Sequence, residues 1–321
     1  MLTIFTVTFP FFALVLAGYL AARRRLLPLD AIAGLNGFVL FFALPCMLFR
    51  FGANTPIAQL LDGSVALVWL VCGLIMVGLT VVTSLNARIG WNDAAFGALV
   101  AAFPNSGFMG VPLLVALLGA QAAGPTILTM VIDMVVITSL CIALSRLDGA
   151  DEHGVAKALK NALKGVLTNP MPWSILLGAL ASVLGFQLVG PVMKVVDMLA
   201  DAASPVALFT IGAVLARSQM LAAAGHTRAP LLRDVLPVAL FKLFLHPLLV
   251  LAVGWLAMRA GLPLQASALT VIVLVAALPS ASNVSLLAER FGADNGRVAR
   301  IILLSTASAF VTFSLAVAAL R

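Results

Sequence analysis

Charge is the scarcest property of this chain. Of 321 residues, 12 are Asp or Glu and 19 are Lys or Arg, 10% in all, against about a quarter in an ordinary soluble domain. Apolar residues make up 63%, far more than the polar surface of one or two soluble domains could cover. That shortage excludes a large aqueous catalytic domain, and the mean hydropathy of +1.15 marks an integral membrane protein. Cysteine is scarce too. Cys46, Cys72 and Cys141 all lie in apolar stretches, and such an odd, buried set makes neither a disulfide framework nor a metal site. H-E-x-x-H, G-x-S-x-G and a nucleotide-binding P-loop are all missing. Hydrolysis and ATP-driven pumping thereby lose their usual machinery, and an enzyme is not expected. The apolar start has no basic leader region and is followed by Arg23, Arg24 and Arg25, so it reads as an uncleaved first helix.

What is present is a series of apolar segments, each about the 20 residues that a crossing needs. They predict an all-α membrane protein of ten transmembrane helices, near 3–22, 31–50, 64–86, 93–119, 124–145, 170–188, 191–216, 234–258, 264–290 and 297–320. The net charge of +7 would suggest nucleic acid in a soluble protein. Here it reads as basic loops that fix orientation, and no nucleic-acid partner is expected. With the N-terminus outside, alternate loops hold Arg23–Arg25, Arg88, Arg146, Lys157, Lys160, Lys164, Arg217, Arg228, Arg233, Arg290, Arg297 and Arg300, 14 of the 19 basic residues. Both termini are therefore expected outside, in a plasma membrane of bacterial inner-membrane type.

The longest connection, 146–168, repeats Val155, Leu159, Leu163 and Val166 at helical spacing opposite Lys157, Lys160 and Lys164. It reads as a helix on the inner membrane surface, dividing the chain into repeats over 1–145 and 169–321. The repeats echo each other: Ala43–Phe49 and Ala203–Phe209 both read A-x-P-x-x-L-F, offset by 160. More loosely, Ala101-Ala-Phe-Pro104 matches Ala276-Ala-Leu-Pro279. Five spans per block is odd, so equivalent helices must cross in opposite directions, as in inverted-repeat secondary transporters.

Spans four and nine are broken at corresponding places. Phe103–Pro112 has two prolines and two glycines, which cannot sustain a regular helix. Leu278–Val284 has Pro279 and a Ser280, Ser282, Asn283 run that favours local side-chain bonding. Irregular backbone at membrane depth survives only where protein or water satisfies it, and paired breaks point to a substrate site. Half-helix starts there offer free N–H groups and a positive dipole end. With Pro104, Asn105, Ser106, Gly107, Phe108, Pro279, Ser280, Ser282 and Asn283, they would suit a small anion; the alternative is a pair of proline kinks.

These residues also carry a family resemblance. N-S-G-F-M-G-V-P at Asn105–Pro112 and A-L-P-S-A-S-N-V at Ala277–Val284 resemble the auxin efflux carrier family, which includes plant auxin exporters and bacterial carriers of malonate and related acids. The resemblance implies a sodium/proton-antiporter-like fold in which spans four and nine cross as an X. It also implies a homodimer, a scaffold of spans one, two, six and seven, and an elevator-like transport domain from the rest. It places Pro104, Asn105, Pro279 and Asn283 at the carboxylate site. The plant exporters carry an acidic residue in their third span; residues 64–86 here contain none.

Charges inside the spans are candidates for ion coupling. Asp133 is alone in an uncharged run and shares a face with Thr126 and Thr129. That stripe could bind sodium, carry a proton, or only aid packing. Lys242 and His246 sit four apart in span eight. Lys242 could offset substrate charge, stand in for a coupling cation, or snorkel toward Arg233 and Asp234. The leading reading is a secondary transporter of a small organic carboxylate, malonate-like or auxin-like, coupled to H+ or Na+ and needing no other cofactor. The alternative is a cation/proton antiporter of the same fold.

Overall fold

The computed structural model describes residues 2–54, 62–147, 170–223 and 231–320; the interfacial helix expected over 146–168 lies almost wholly outside them. Every regular element among the described residues is helical. In chain order they are α1 (Leu2–Arg23), α2 (Ala31–Asn54), α3 (Gly63–Ser84), α4 (Trp91–Ala102), α5 (Ser106–Leu118), α6 (Ala120–Leu144), α7 (Pro170–Leu184), α8 (Gly190–Ala223), α9 (Leu232–Arg259), α10 (Ala266–Ala276), α11 (Asn283–Arg290) and α12 (Asn295–Leu320). Six of these (α2, α3, α6, α8, α9 and α12) are long and apolar enough to cross a membrane.

Local chemistry sets several boundaries. The Asp62 carboxylate accepts from the Ser64 and Val65 N–H groups and so caps α3. Arg25, at φ 57°, closes α1 in the left-handed turn common at helix ends. Burial then sorts the helices. In α4 every residue from Ala94 to Ala102 is buried, and in α10 so is every residue from Val271 to Ala276. A helix apolar and buried all round lies inside the bundle. Large apolar side chains such as Phe41, Val82, Leu248 and Leu256 stay exposed on the outer helices, the surface a hydrocarbon solvent favours.

Two helix pairs pack at backbone distance. A Cβ on Gly18 of α1 would collide with the Phe209 carbonyl of α8, and one on Gly212 would collide with that of Val15. Between α2 and α7, Gly178 meets the Phe49 carbonyl and Gly52 that of Ile175. Only glycine permits such approach, the close packing that holds helices together where lipid removes the hydrophobic drive. Adding 160 to Val15, Gly18, Phe49 and Gly52 gives Ile175, Gly178, Phe209 and Gly212, so one contact set repeats the other in mirrored order. Phe49 and Phe209 also end the two A-x-P-x-x-L-F segments.

Candidate functional site

The site is built where the interior helices stop. α4 ends at Ala102, the chain runs extended through Phe103 (φ −96°, ψ 103°), and α5 starts at Ser106. On the other side α10 ends at Ala276 and α11 starts at Asn283. Proline favours both stops, because the residue before it is pushed out of the helical region, though it does not suffice alone, since Pro205 and Pro237 lie inside α8 and α9. The irregular part of span four is thus narrower than the sequence suggested. Only Phe103–Asn105 is non-helical; a wide π turn over Ser106–Gly110 absorbs both glycines, and Pro112 falls in the first turn of the following α-helix, where its missing donor is harmless.

The two breaks satisfy each other. Asn105 N–H donates to the Pro279 carbonyl at 2.8 Å, and Ala281 N–H donates to that of Phe103 at 3.0 Å. The result is an antiparallel bridge between Pro104 and Ser280. The prolines have no N–H to leave unpaired. Ser280 N–H donates to Ser305 Oγ on α12 at 3.2 Å, so a serine of the last helix supports the crossover backbone. The Ser106 N–H and hydroxyl both donate to the Pro104 carbonyl, at 2.8 and 3.2 Å.

The structure therefore brings Pro104, Asn105, Ser106, Pro279 and Ser280 into one crossing, with Gly107, Phe108, Ser282 and Asn283 beside it. Asn105, Ser106 and Ser280 are buried, whereas Ser282 and Asn283 are half-buried. Ser280 Oγ has no hydrogen-bond partner, and no side chain caps the start of α5 at Asn105. Ser282 and Asn283 face Phe108 across a cleft closed by Asn36 and Leu40 of α2 and Ile211 and Val214 of α8. Its volume is about 10 Å³, room for about one water. Nothing larger than a water fits there while these walls stand where they are.

A second polar cluster lies one step deeper. Asp133, Lys242 and His246 are completely buried. Asp133 Oδ1 accepts from Trp69 Nε1 at 2.8 Å, and its Oδ2 has no partner. Lys242 Nζ donates to the Ala276 carbonyl at 2.8 Å and lies 3.1 Å from His246 Nδ1. With the ammonium donating, Nδ1 is the acceptor and the ring proton sits on Nε2, which has no partner. The His246 ring lies 5.2 Å from that of Trp69, so the four side chains form one group.

Snorkelling of Lys242 toward Arg233 and Asp234 is overturned. The ammonium turns inward because the last turn of α10 offers it a carbonyl just before the break. Asp133 opens a π turn (Asp133–Ile137) and Lys242 lies in another (Phe241–Leu245), a widening frequent at functional positions. Thr126 and Thr129 do share the Asp133 face and are buried. Their hydroxyls, however, bond to the Ala122 and Thr126 carbonyls of their own helix.

Two buried polar side chains were missed by sequence reasoning. Trp69 was one more aromatic in an apolar span, and only its bond to Asp133 distinguishes it. Arg297 was counted as a boundary charge. It is 3% exposed and donates to the carbonyls of Asp93 and Asp234 and to the Ser84 hydroxyl, joining four helices. Gly97 leaves the space its guanidinium fills.

Comparison with known proteins gives the family. The sequence pattern of the family described as membrane transport protein matches residues 3–317. A protein of Rhizobium meliloti (strain 1021), provisionally named a malonate transporter, is 29% identical over 92% of this chain and 89% of its own length. The uncharacterized transporter YfdV of Escherichia coli (strain K12) is 26% identical, over 88% and 86%. Auxin efflux carrier component 8 of Arabidopsis thaliana is 23% identical, over 85% of each.

Proposed function

Since the chain belongs to the auxin efflux carrier family of membrane transport proteins and is a transporter rather than an enzyme, we propose that it is a secondary transporter of a small organic carboxylate. The observation that carries this is the crossover bridge, which holds Asn105, Ser106 and Ser280 and the starts of α5 and α11 around one point inside the bundle. Backbone donors at helix starts, with neutral amide and hydroxyl groups, suit a carboxylate. The malonate name of the Rhizobium relative makes a short dicarboxylate the first candidate.

The supporting architecture is ten spans in two inverted repeats of five. The glycine contacts related by 160 residues favour it, as does the division of spans four and nine into α4–α5 and α10–α11. In this reading α1, α2, α7 and α8 are a fixed scaffold in a homodimer, and the other helices carry the crossover past it as an elevator. The Arg23–Arg25 side is cytoplasmic, in a bacterial inner membrane. The ion-coupling group is Asp133, with Lys242 as its internal counter-charge and His246 and Thr129 beside them.

A cation/proton antiporter on the same fold is the second reading, favoured by the unpartnered Asp133 Oδ2. One experiment separates them. Purified protein in liposomes is offered malonate and other carboxylates under separate proton and sodium gradients, beside Asn105→Ala and Asn283→Ala variants. Gradient-driven uptake is expected, with each variant binding about ten- to a hundred-fold more weakly, the worth of a hydrogen bond to a charged group. Sodium–proton exchange without carboxylate flux, or unchanged affinity in both variants, would refute the carboxylate assignment.

A further inference from the structure

Away from the crossover, α1, α8 and α12 enclose a groove of about 640 Å³, within the roughly 300–1,000 Å³ of ligand pockets. Its walls are apolar: Leu16 and Leu20 of α1, Leu215 of α8, and Leu303, Ala307 and Phe310 of α12. One end is different. There Arg23 Nη1 donates to the Tyr19 hydroxyl at 2.8 Å, and that hydroxyl donates to Gln219 Oε1 at 2.6 Å. Arg24 and Arg25 follow, all three are exposed, and no carboxylate among the described residues lies within 4.0 Å of them. The groove-lining stripe of α1, from Leu16 through Leu20, runs at helical spacing into Arg23 and Arg24. On α12 the stripe of Phe310, Ala307 and Leu303 continues to Arg300.

We propose that this groove is a binding site for an anionic phospholipid, with an acyl chain between α1 and α12 and the phosphate on Arg23 and Arg24. The charge pattern selects the occupant. A guanidinium matches phosphate geometry, and successive arginines favour a headgroup of net negative charge over one carrying its own cation. The apolar walls demand a chain, which a soluble phosphate lacks. The place also gives the lipid a role. α1 and α8 are locked at Gly18 and Gly212, whereas α12 supports the crossover through Ser305. A lipid here would contact both bodies that the transport reading sets in relative motion, although the binding itself does not depend on that reading.

Native mass spectrometry of the purified full chain tests it, with phosphatidylglycerol and phosphatidylcholine of identical acyl chains. Wild type is expected to retain phosphatidylglycerol at least about fivefold more, the worth of about one basic residue near an anionic lipid. The Arg23→Gln, Arg24→Gln double variant should lose that preference while still taking up lipid. Ala307→Trp, which fills the groove, should lose both, and unfolding temperatures without lipid identify any variant that is merely misfolded. Equal retention of the two lipids by wild type, or a preference that survives the double variant, would overturn the proposal. So would binding of glycerol phosphate alone, or an Ala307→Trp variant that changes oligomeric state instead of lipid retention.

Discussion

Lys242→Met tests whether the buried charges work as a unit. In the native protein the ammonium holds the Ala276 carbonyl and His246 at 2.8 and 3.1 Å, while Asp133 is held by Trp69 with one oxygen bare. The two groups are not in contact; if both are charged, they attract through a dry interior. Removing the lysine leaves an uncompensated carboxylate with a single hydrogen bond. Breaking a buried pair from one side costs about 3–5 kcal/mol, and Asp133→Asn, which strands the ammonium, belongs in the same range. Removing both leaves chiefly lost hydrogen bonds, at about 1–3 kcal/mol. The double variant should therefore be more stable than the sum of the singles predicts, by at least about 1.5 kcal/mol. Unfolding of purified protein in mild detergent measures the cycle. Reconstituted transport should show substrate binding regained in the double variant without ion-driven accumulation. If the two changes add within about 0.5 kcal/mol, the usual limit for independent sites, the coupled-charge reasoning is wrong.

The glycine contacts predict that Gly18→Ala and Gly178→Ala each destabilise by about 1–3 kcal/mol, the cost of overpacking. Gly34→Ala and Gly78→Ala, where nothing lies within 4 Å of the new Cβ, should be neutral or stabilising; thermal unfolding compares all four. For topology, in a background free of Cys46, Cys72 and Cys141, single cysteines at positions 55 and 120 should label from outside intact cells and those at 90 and 155 should not. Labelling at 155 would reverse the orientation.

The helix breaks were legible because Pro104 and Pro279 come with glycine, serine or asparagine beside them; proline alone is not enough, since Pro10, Pro205 and Pro237 lie inside continuous helices. The pairing of the breaks was not legible, because it depends on carbonyl and amide groups that every residue carries. Asp133 stood out as a lone charge, but Trp69 did not, since an indole in an apolar span carries no mark until a partner is seen. For Lys242 snorkelling was one of three open readings; it considers only the lysine's own helix, and the acceptor comes from the end of α10, 34 residues away. The 160-residue offset was visible in the A-x-P-x-x-L-F segments. The same offset in Gly18 and Gly178 went unread, since glycines are common in this chain and only their contacts give them meaning.

The crossover bridge has a consequence for biogenesis. The partners of Phe103 and Asn105 are supplied by Ala281 and Pro279, which the ribosome adds roughly 170 residues later. At about 5–20 residues per second, the N-terminal half waits on the order of 10–30 s with an amide and a carbonyl unmatched, each costing several kcal/mol if it faces hydrocarbon. The N-terminal half should therefore be less stable in the bilayer by itself than in the finished chain. Its newly made helices must stay beside the insertion machinery, or remain loosely joined, until the second half arrives and closes the crossing.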